Sequence, residues 1–244
     1  MTGIQEKSTS IKITYLIRNL LSKPLFSVLD GELGNVLDIG GGSFYKSLKK
    51  STWKNYIIFE PDLNFLPSNK ISSVYSISGD AMNPPFKRNS FDTVLIIQVL
   101  QFIFEPNQLI QEVEKIIKVN GKIIIQVPQS GNLHGVPNHY YNFTKFWLNK
   151  ILTENNFDII KHFYLGGAWR TIASRLFLMF WPVFGHQYYL DSEFRNRGIK
   201  FWISMPFQIL TALFMFPFAL FFSLFDIKEE SNNHLVVAVK RAVS

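Results

Sequence analysis

Val36-Leu37-Asp38-Ile39-Gly40-Gly41-Gly42, with Glu60 following it, is the stretch that decides the fold. A short apolar run that ends in an acid and three glycines reads as a buried parallel strand turning sharply at its carboxyl end. Glycines there let the backbone approach a ligand closely, and the element that follows offers free N–H groups at its start. Glu60 closes a second β-rich run about 20 residues on, where an acid can accept hydrogen bonds from the hydroxyls of a ribose.

On either side of this stretch, short β-rich runs alternate with helical ones from about residue 34 to residue 164, the pattern of a mainly parallel sheet with crossover helices. Strands are expected at Asn35–Ile39, Asn55–Phe59, Ser73–Ser78, Thr93–Ile97, Lys122–Val127 and Phe157–Phe163, with a last one at His234–Val239. Between the fourth and fifth, Leu109, Ile110, Val113, Ile116 and Ile117 mark one face of a helix that Pro106 opens and Gly121 closes. Thr144 is the expected N-cap of another, through Phe146, Leu148, Ile151 and Leu152.

A Gly-rich turn alone also suits nicotinamide and flavin enzymes. Two details favour S-adenosylmethionine. Tyr45 occupies the place where G-x-G-x-x-G demands its last glycine, and the acid before the glycines suits the cationic methionine end of that cofactor better than a pyrophosphate.

In order along the chain stand Asp38-Ile39-Gly40-Gly41-Gly42, Glu60, Gly79-Asp80-Ala81, Pro85-Phe86 and Ser90-Phe91-Asp92-Thr93-Val94. This series resembles the class I S-adenosylmethionine-dependent methyltransferases over most of residues 30 to 165. The resemblance implies an α/β, Rossmann-like seven-stranded sheet of order 3-2-1-4-5-7-6, flanked by helices, with S-adenosylmethionine as cofactor. It implies that Asp38, Gly40 and Gly42 hold the methionine end, Glu60 the ribose, Asp80 the adenine amine with Ala81 beside the ring, and Gln98 a place at the end of strand four.

The chain departs from the family at three places. Phe44 replaces a frequent third glycine, Leu100-Gln101-Phe102 stands where relatives often have Leu-Glu-His, and Asn142 stands where relatives often have Arg. Asn83-Pro84-Pro85-Phe86 looks like the loop of amino-methylating enzymes that act on nucleic acid, but it follows strand three rather than strand four, so no nucleic-acid partner is expected.

The loop after strand five, Pro128 to Tyr141, lies at the carboxyl edge of the sheet, where ligands bind, and holds His134 and His139. Methyl transfer from a sulfonium is a direct displacement, so the protein must align the acceptor and, for a hydroxyl, remove its proton. His139 and His134 are the candidate bases, and Tyr140 or Tyr141 the acceptor-positioning groups; His162, His186 and His234 are read as structural. No His, Asp or Glu spacing suggests a metal site.

The 244 residues are read as one methyltransferase domain with two elaborations. Residues 8–30 carry Ile11, Tyr15, Leu16, Leu20 and Leu21 at helical spacing with Lys12, Arg18 and Lys23 between them, an amphipathic helix for the sheet or for a membrane surface. Residues 165–230 form an apolar helical insertion in which Leu176–Phe184 is one apolar run and Phe201–Phe225 a second without a single charge. Arg195, Arg197 and Lys200 precede the second run and Lys228 follows it, and Pro206 and Pro217 are expected to break it into pieces.

Composition agrees that something apolar exists beyond a normal core. Hydrophobic residues make up 47%, 24 are Phe, and only 18% are charged against about 25% in an average chain. The formal charge of +7 suits an anionic partner, and the absence of Cys excludes disulfides and thiol chemistry. Residues 1 to 30 show no secretory signal, which places the start of the chain on the cytoplasmic side.

The resemblance implies that the last strand returns, antiparallel, between strands five and six, which would leave both ends of the insertion on one side of any membrane. The choices are a monotopic or re-entrant hairpin, an apolar lid or dimer cap, or a true crossing. The expected protein is therefore a methyltransferase at the cytoplasmic face of a membrane, O-directed, with a lipophilic or lipid-linked small-molecule acceptor. Its rivals are a soluble small-molecule methyltransferase with an apolar lid, a catalytically silent scaffold of the same fold, and, more distantly, a dinucleotide-dependent reductase.

Overall fold

Seven β-rich runs pair into one sheet of order β3-β2-β1-β4-β5-β7-β6, the order that the resemblance implies. The computed structural model describes residues 23–49, 52–67, 71–131, 133, 135, 137–180 and 199–242. The strands are β1 (Gly34–Ile39), β2 (Trp53–Glu60), β3 (Val74–Ser78), β4 (Phe91–Ile97), β5 (Ile117–Pro128), β6 (Phe157–Leu165) and β7 (Asn233–Lys240). The first five pair in parallel, and β7 runs antiparallel between β5 and β6, with Gln126 opposite Leu235 and Tyr164 opposite His234.

The central strands are buried on both faces, which is why they read as continuous apolar runs rather than alternating ones. On one face Leu37, Ile39, Ile96, Ile123 and Ile125 meet α2 (Pro106–Ile116) and α3 (Lys145–Glu154) through Leu109, Val113, Leu148 and Leu152. On the other, Val36, Tyr56, Ile58, Leu95 and Ile124 meet α1 (Lys23–Leu29) through Leu25 and Leu29. This short helix is the described end of the expected 8–30 helix, and it packs on the sheet; Ile11 to Leu21 lie outside the described residues.

Pro106 stands in the first turn of α2 and Thr144 caps α3, its hydroxyl accepting from the Trp147 N–H at 3.3 Å, as expected. Gly121 does not close α2. The helix ends at Ile116, because Ile117 is already extended (φ −79°, ψ 142°) and opens β5 opposite Phe91. Gly121 is needed instead for close packing within the strand, where a Cβ would lie 2.8 Å from both the Ile117 side chain and the Lys118 carbonyl. Asp92 anchors the far end of the sheet from the glycine turn, accepting from the Asn35 N–H at 2.9 Å and the Lys118 ammonium at 2.7 Å.

The insertion folds as two helices, α4 (Ala168–Phe180) and α5 (Ile199–Phe222); residues 181–198, with His186, Arg195 and Arg197, lie outside the described residues. The expected break at Pro206 and Pro217 does not occur. α5 runs through both, giving up only the backbone bond that each proline cannot donate, while the Gln208 amide donates to the Ser204 hydroxyl at 2.8 Å across the turn holding Pro206. The stacked rings of Trp169 and Phe222, 4.8 Å apart, set the end of α5 beside the start of α4, so the two helices form an antiparallel hairpin. Among its described side chains Ala173, Ala212 and Ala219 are the buried ones, whereas Ile203, Phe207, Leu210, Phe214 and Phe218 of α5 point outward. Trp202–Phe225 is long and apolar enough to cross a bilayer.

His162 and His234 join β6 to β7, with His162 Nε2 3.1 Å from His234 Nδ1 and His234 Nε2 bonded to the Gln129 side-chain carbonyl. Burial, with the charges of His162 and Lys145, pulls the His234 ring down to about 4, so it is neutral at pH 7 and structural, as is His162.

Candidate active site

Three segments meet at the carboxyl edge of the sheet: the glycine turn after β1, residues 98–102 after β4, and the loop after β5. At the first, Gly40 (φ +68°) and Gly42 (φ +49°) hold left-handed conformations, and a Cβ on Gly40 would fall 2.5 Å from the Val99 side chain. Gly40 N–H donates to the Phe59 carbonyl at 2.9 Å, binding the turn to β2. The Asp38 carboxylate folds back over this turn so closely that a Cβ on Gly41 would overlap it at 1.7 Å.

Asp38 is fully buried. Its Oδ2 accepts from the Tyr56 hydroxyl at 2.5 Å, and its Oδ1 has no partner among the described residues. Burial pushes its carboxyl up to about 7; the Tyr56 bond opposes that rise and the nearby Glu60 adds to it. A buried acid with an unused acceptor atom beside a glycine turn suits a ligand that brings a positive charge, because such a charge would stabilise the ionised form. The residues present therefore fit the ammonium and sulfonium of S-adenosylmethionine.

Glu60 ends β2 half-buried, Oε1 accepting from the Asp62 N–H at 3.3 Å, and burial holds its carboxyl above the usual range. Asp80 caps its own turn, accepting from the Met82 N–H at 2.9 Å, while Ala81 is buried in the core beside it. Glu60 and Asp80 thus leave the adjacent strand ends β2 and β3.

Gln98 takes a left-handed conformation (φ +59°), uncommon for a long side chain and a form of strain that collects at functional edges. Its amide donates to Asn233 at 2.7 Å, so it braces β4 against the start of β7. Gln101, where relatives often carry Glu, is fully buried; its amide donates to the Gln98 carbonyl at 3.0 Å and its side-chain oxygen has no partner among the described residues.

The Gln101 backbone carbonyl accepts the N–H groups of Tyr140 (2.9 Å) and Tyr141 (3.4 Å), which draws the loop after β5 onto the turn after β4. His139 lies there against the Phe102 ring, its Nε2 3.2 Å from the Tyr141 carbonyl. At that distance the ring nitrogen can donate to the carbonyl, which ties the His139 ring to its own loop. The Tyr141 hydroxyl donates to the Phe104 carbonyl at 2.9 Å, and Tyr140 bonds Asn138 at 3.1 Å. His134 lies outside the described residues. Among the described residues no group of three or more His, Asp or Glu is placed to hold a metal ion.

Sequence reasoning missed Tyr56, Gln101, Arg175 and Asp226. Tyr56 looks like any strand aromatic until its hydroxyl is seen on Asp38. The other three act through partners remote in sequence, which no local pattern announces.

Asp38 and His234 titrate with opposite consequences. The Asp38 pKa is raised on folding, so the stability it contributes is full below about 4 and is lost as pH rises toward about 7. The His234 pKa is depressed, so its contribution is full above about 6.5 and is lost as pH falls toward about 4. The two slopes oppose each other in the wild type. Thermal melts of Asp38→Asn are expected to uncover the His234 slope, with Tm falling by several degrees from pH 7 to 4.5; a flat profile would overturn the assignment.

Residues 37–125 match the sequence family described as "Methyltransferase domain". The strand order is that of the class I S-adenosylmethionine-dependent methyltransferase fold, and the match lays a methyltransferase domain, whose cofactor is S-adenosylmethionine, over residues 37–125. An uncharacterized protein of Methanocaldococcus jannaschii is 31% identical over 148 residues, and the match spans 61% of this chain and 60% of that protein.

Among solved structures, a methyltransferase from Haloferax volcanii in complex with the Trm112 methyltransferase activator aligns at TM-score 0.58 and 13% identity, covering 98% of this chain and 95% of that one. The phosphoethanolamine N-methyltransferase 2 of Haemonchus contortus, in complex with phosphomonomethylethanolamine and S-adenosylhomocysteine, aligns at 0.55 and 16%, covering 92% and 52%. The [4+2]-cyclase SpnF aligns at 0.54 and 15%, covering 93% and 80%. At these identities the likeness is one of fold, and the cyclase shows that this fold also hosts other chemistry.

Proposed function

We propose that the protein methylates an oxygen of a lipophilic or lipid-linked small molecule while its α4–α5 hairpin lies on the cytoplasmic face of a membrane. The observation that carries this reading is the hairpin itself: Phe207, Leu210, Phe214 and Phe225 point outward from a helix whose base is bonded to the loop after β5. Exposed apolar surface on this scale marks a contact with lipid or protein, and a hairpin with both ends on the sheet side suits an interfacial helix.

S-adenosylmethionine supplies an activated methyl group on a sulfonium. Asp38, Gly40 and Gly42 hold the methionine end, Glu60 the ribose and Asp80 with Ala81 the adenine, leaving the strand-four edge around Gln98 and Gln101 for the acceptor. His139 takes the acceptor proton, with His134 as the alternative base, and Tyr141 fixes the loop that carries them. Alignment supplies most of the rate enhancement and the base a further hundredfold or so.

The test is transfer of labelled methyl from S-adenosylmethionine to a membrane lipid extract, with Asp38→Ala as blank. Label is expected in the organic phase with the wild type alone. Label confined to water-soluble material would discard the lipid acceptor, and no label with any extract would sink the enzymatic reading.

A further inference from the structure

The hairpin and the loop after β5 are joined by hydrogen bonds that the cofactor site does not require. From α4, the Arg175 guanidinium donates to the carbonyls of Ser130 (2.7 Å) and Gly131 (3.3 Å). From the segment after α5, the Asn232 carbonyl accepts the N–H groups of Gln129 (2.9 Å) and Ser130 (3.1 Å), and the Gln129 amide donates to the Glu229 carbonyl at 3.0 Å. The hairpin's two ends are also fastened together. The Asp226 carboxylate accepts the N–H groups of Trp169 (2.8 Å) and Arg170 (3.2 Å), a cap on α4 contributed from beyond α5. Gly167 permits this approach, since a Cβ there would fall 2.4 Å from Asp226. The Asn142 amide closes the circuit, donating to the same Gly131 carbonyl at 3.4 Å, one residue from Tyr141.

We propose that Arg175 is a positioning residue that makes the geometry of this loop depend on docking of the hairpin to a lipid bilayer, so that acceptor methylation is switched on at the membrane surface. The proposal rests on the docking reading above and adds its regulation. In water, the outward Phe and Leu side chains of α5 favour collapse or a shift of the hairpin; an apolar phase stabilises the arrangement in which they point outward. The occupant is a lipid surface because Trp202–Phe225 is a long, mostly exposed apolar run and charged side chains stand beyond both of its ends, Lys200 before it and Lys228, Glu229 and Glu230 after it. A helix of 24 residues lying in the interface, about 36 Å long at 1.5 Å per residue, keeps both charged ends at headgroup level; a perpendicular one would bury Lys200 or carry it across.

Exposed Leu224, Phe225 and Ile227 continue the apolar surface to the hairpin base, close to where Arg175 meets the loop. At that boundary, water screens a charge-assisted bond less than it does in solution, so docking tightens the Arg175 contacts. Ser130 and Gly131 are then held where His139 and Tyr141 can be presented to an acceptor whose reactive oxygen sits at the polar edge of the lipid.

The test is hydrogen exchange of peptides covering Gln129–Gly131 and Asn138–Phe143 in the full chain, with and without phosphatidylglycerol–phosphatidylcholine vesicles, and with flotation measured in parallel. The wild type is expected to float, with loop exchange slowed about tenfold on vesicles. Arg175→Gln should float equally and bind S-adenosylmethionine as before, yet lose the slowing, and Arg175→Lys should restore part of it. Wild type that floats without any change in the loop, or Arg175→Gln slowed as much as wild type, would overturn the coupling while leaving docking intact. Wild type that binds the cofactor but does not float would overturn docking and coupling together.

Discussion

S-adenosylmethionine binding to this protein is expected to weaken about tenfold for each pH unit below about 7 and to level off above it. The cause is Asp38, whose carboxyl is buried against the glycine turn and pushed up to about 7 by that burial, so that below neutrality it is mostly protonated in the free protein. A cationic ligand beside it favours the carboxylate and lowers the pKa in the complex, so binding must expel the proton. Calorimetry from pH 5 to 8, in buffers of different ionisation enthalpy, should show release of close to one proton at pH 6 and little at pH 8. Asp38→Asn removes both the charge and its titration. Its affinity should fall by about ten- to a hundredfold at pH 8, the cost of one charge-assisted bond, and become insensitive to pH. Tyr56→Phe tests the same assignment from the other side. The Tyr56 hydroxyl lowers the Asp38 pKa, so its removal should move the midpoint of the affinity profile above 7. Wild-type affinity independent of pH would remove Asp38 from the cofactor site.

The fold was legible because its determinants are local. The central strands β1, β4 and β5 are largely buried aliphatic runs, and the ordered acids and glycines from Asp38 to Asp92 set which runs come first. β7 could be placed through the family resemblance, which puts an antiparallel last strand between the fifth and the sixth. The errors were equally physical. α2 stops at Ile116 because Ile117 gains more by pairing with Phe91 than by another helical turn, and no residue type at 117 signals that choice. Pro206 and Pro217 read as breaks, yet each removes one backbone donor from an otherwise intact helix.

The cofactor half of the site was readable as a motif, whereas its chemistry was not. The acidity of Asp38 depends on burial and on Tyr56 in the neighbouring strand, and the Gln98 amide is held by Asn233, 135 residues away. The acceptor half rests on contacts of the same remote kind, from Arg175, Glu229 and Asn232 to three consecutive residues after β5.

Replacing Phe207, Leu210, Phe214 and Phe218 together by Gln is expected to abolish flotation with anionic vesicles while leaving S-adenosylmethionine affinity unchanged. The four side chains lie on α5 at 70%, 64%, 67% and 48% exposure, so little of the protein's own packing depends on them. Full transfer of such a side chain from water to an apolar phase is worth about 1.5 to 3 kcal/mol, and roughly half of each is available here. The sum, on the order of 3 to 6 kcal/mol, corresponds to a loss in vesicle affinity of about a hundredfold or more. The cofactor turn lies at the far side of β4 from the hairpin in the strand order, which is why its affinity should not move. The same variant separates lipid from protein as the partner of this surface. If the four side chains cover a second copy of the chain instead, the wild type should sediment as a dimer that ignores vesicles, and the variant as a monomer. The charged groups beyond both ends of this apolar run favour the lipid outcome, because they can stay at headgroup level while the run between them enters the apolar phase.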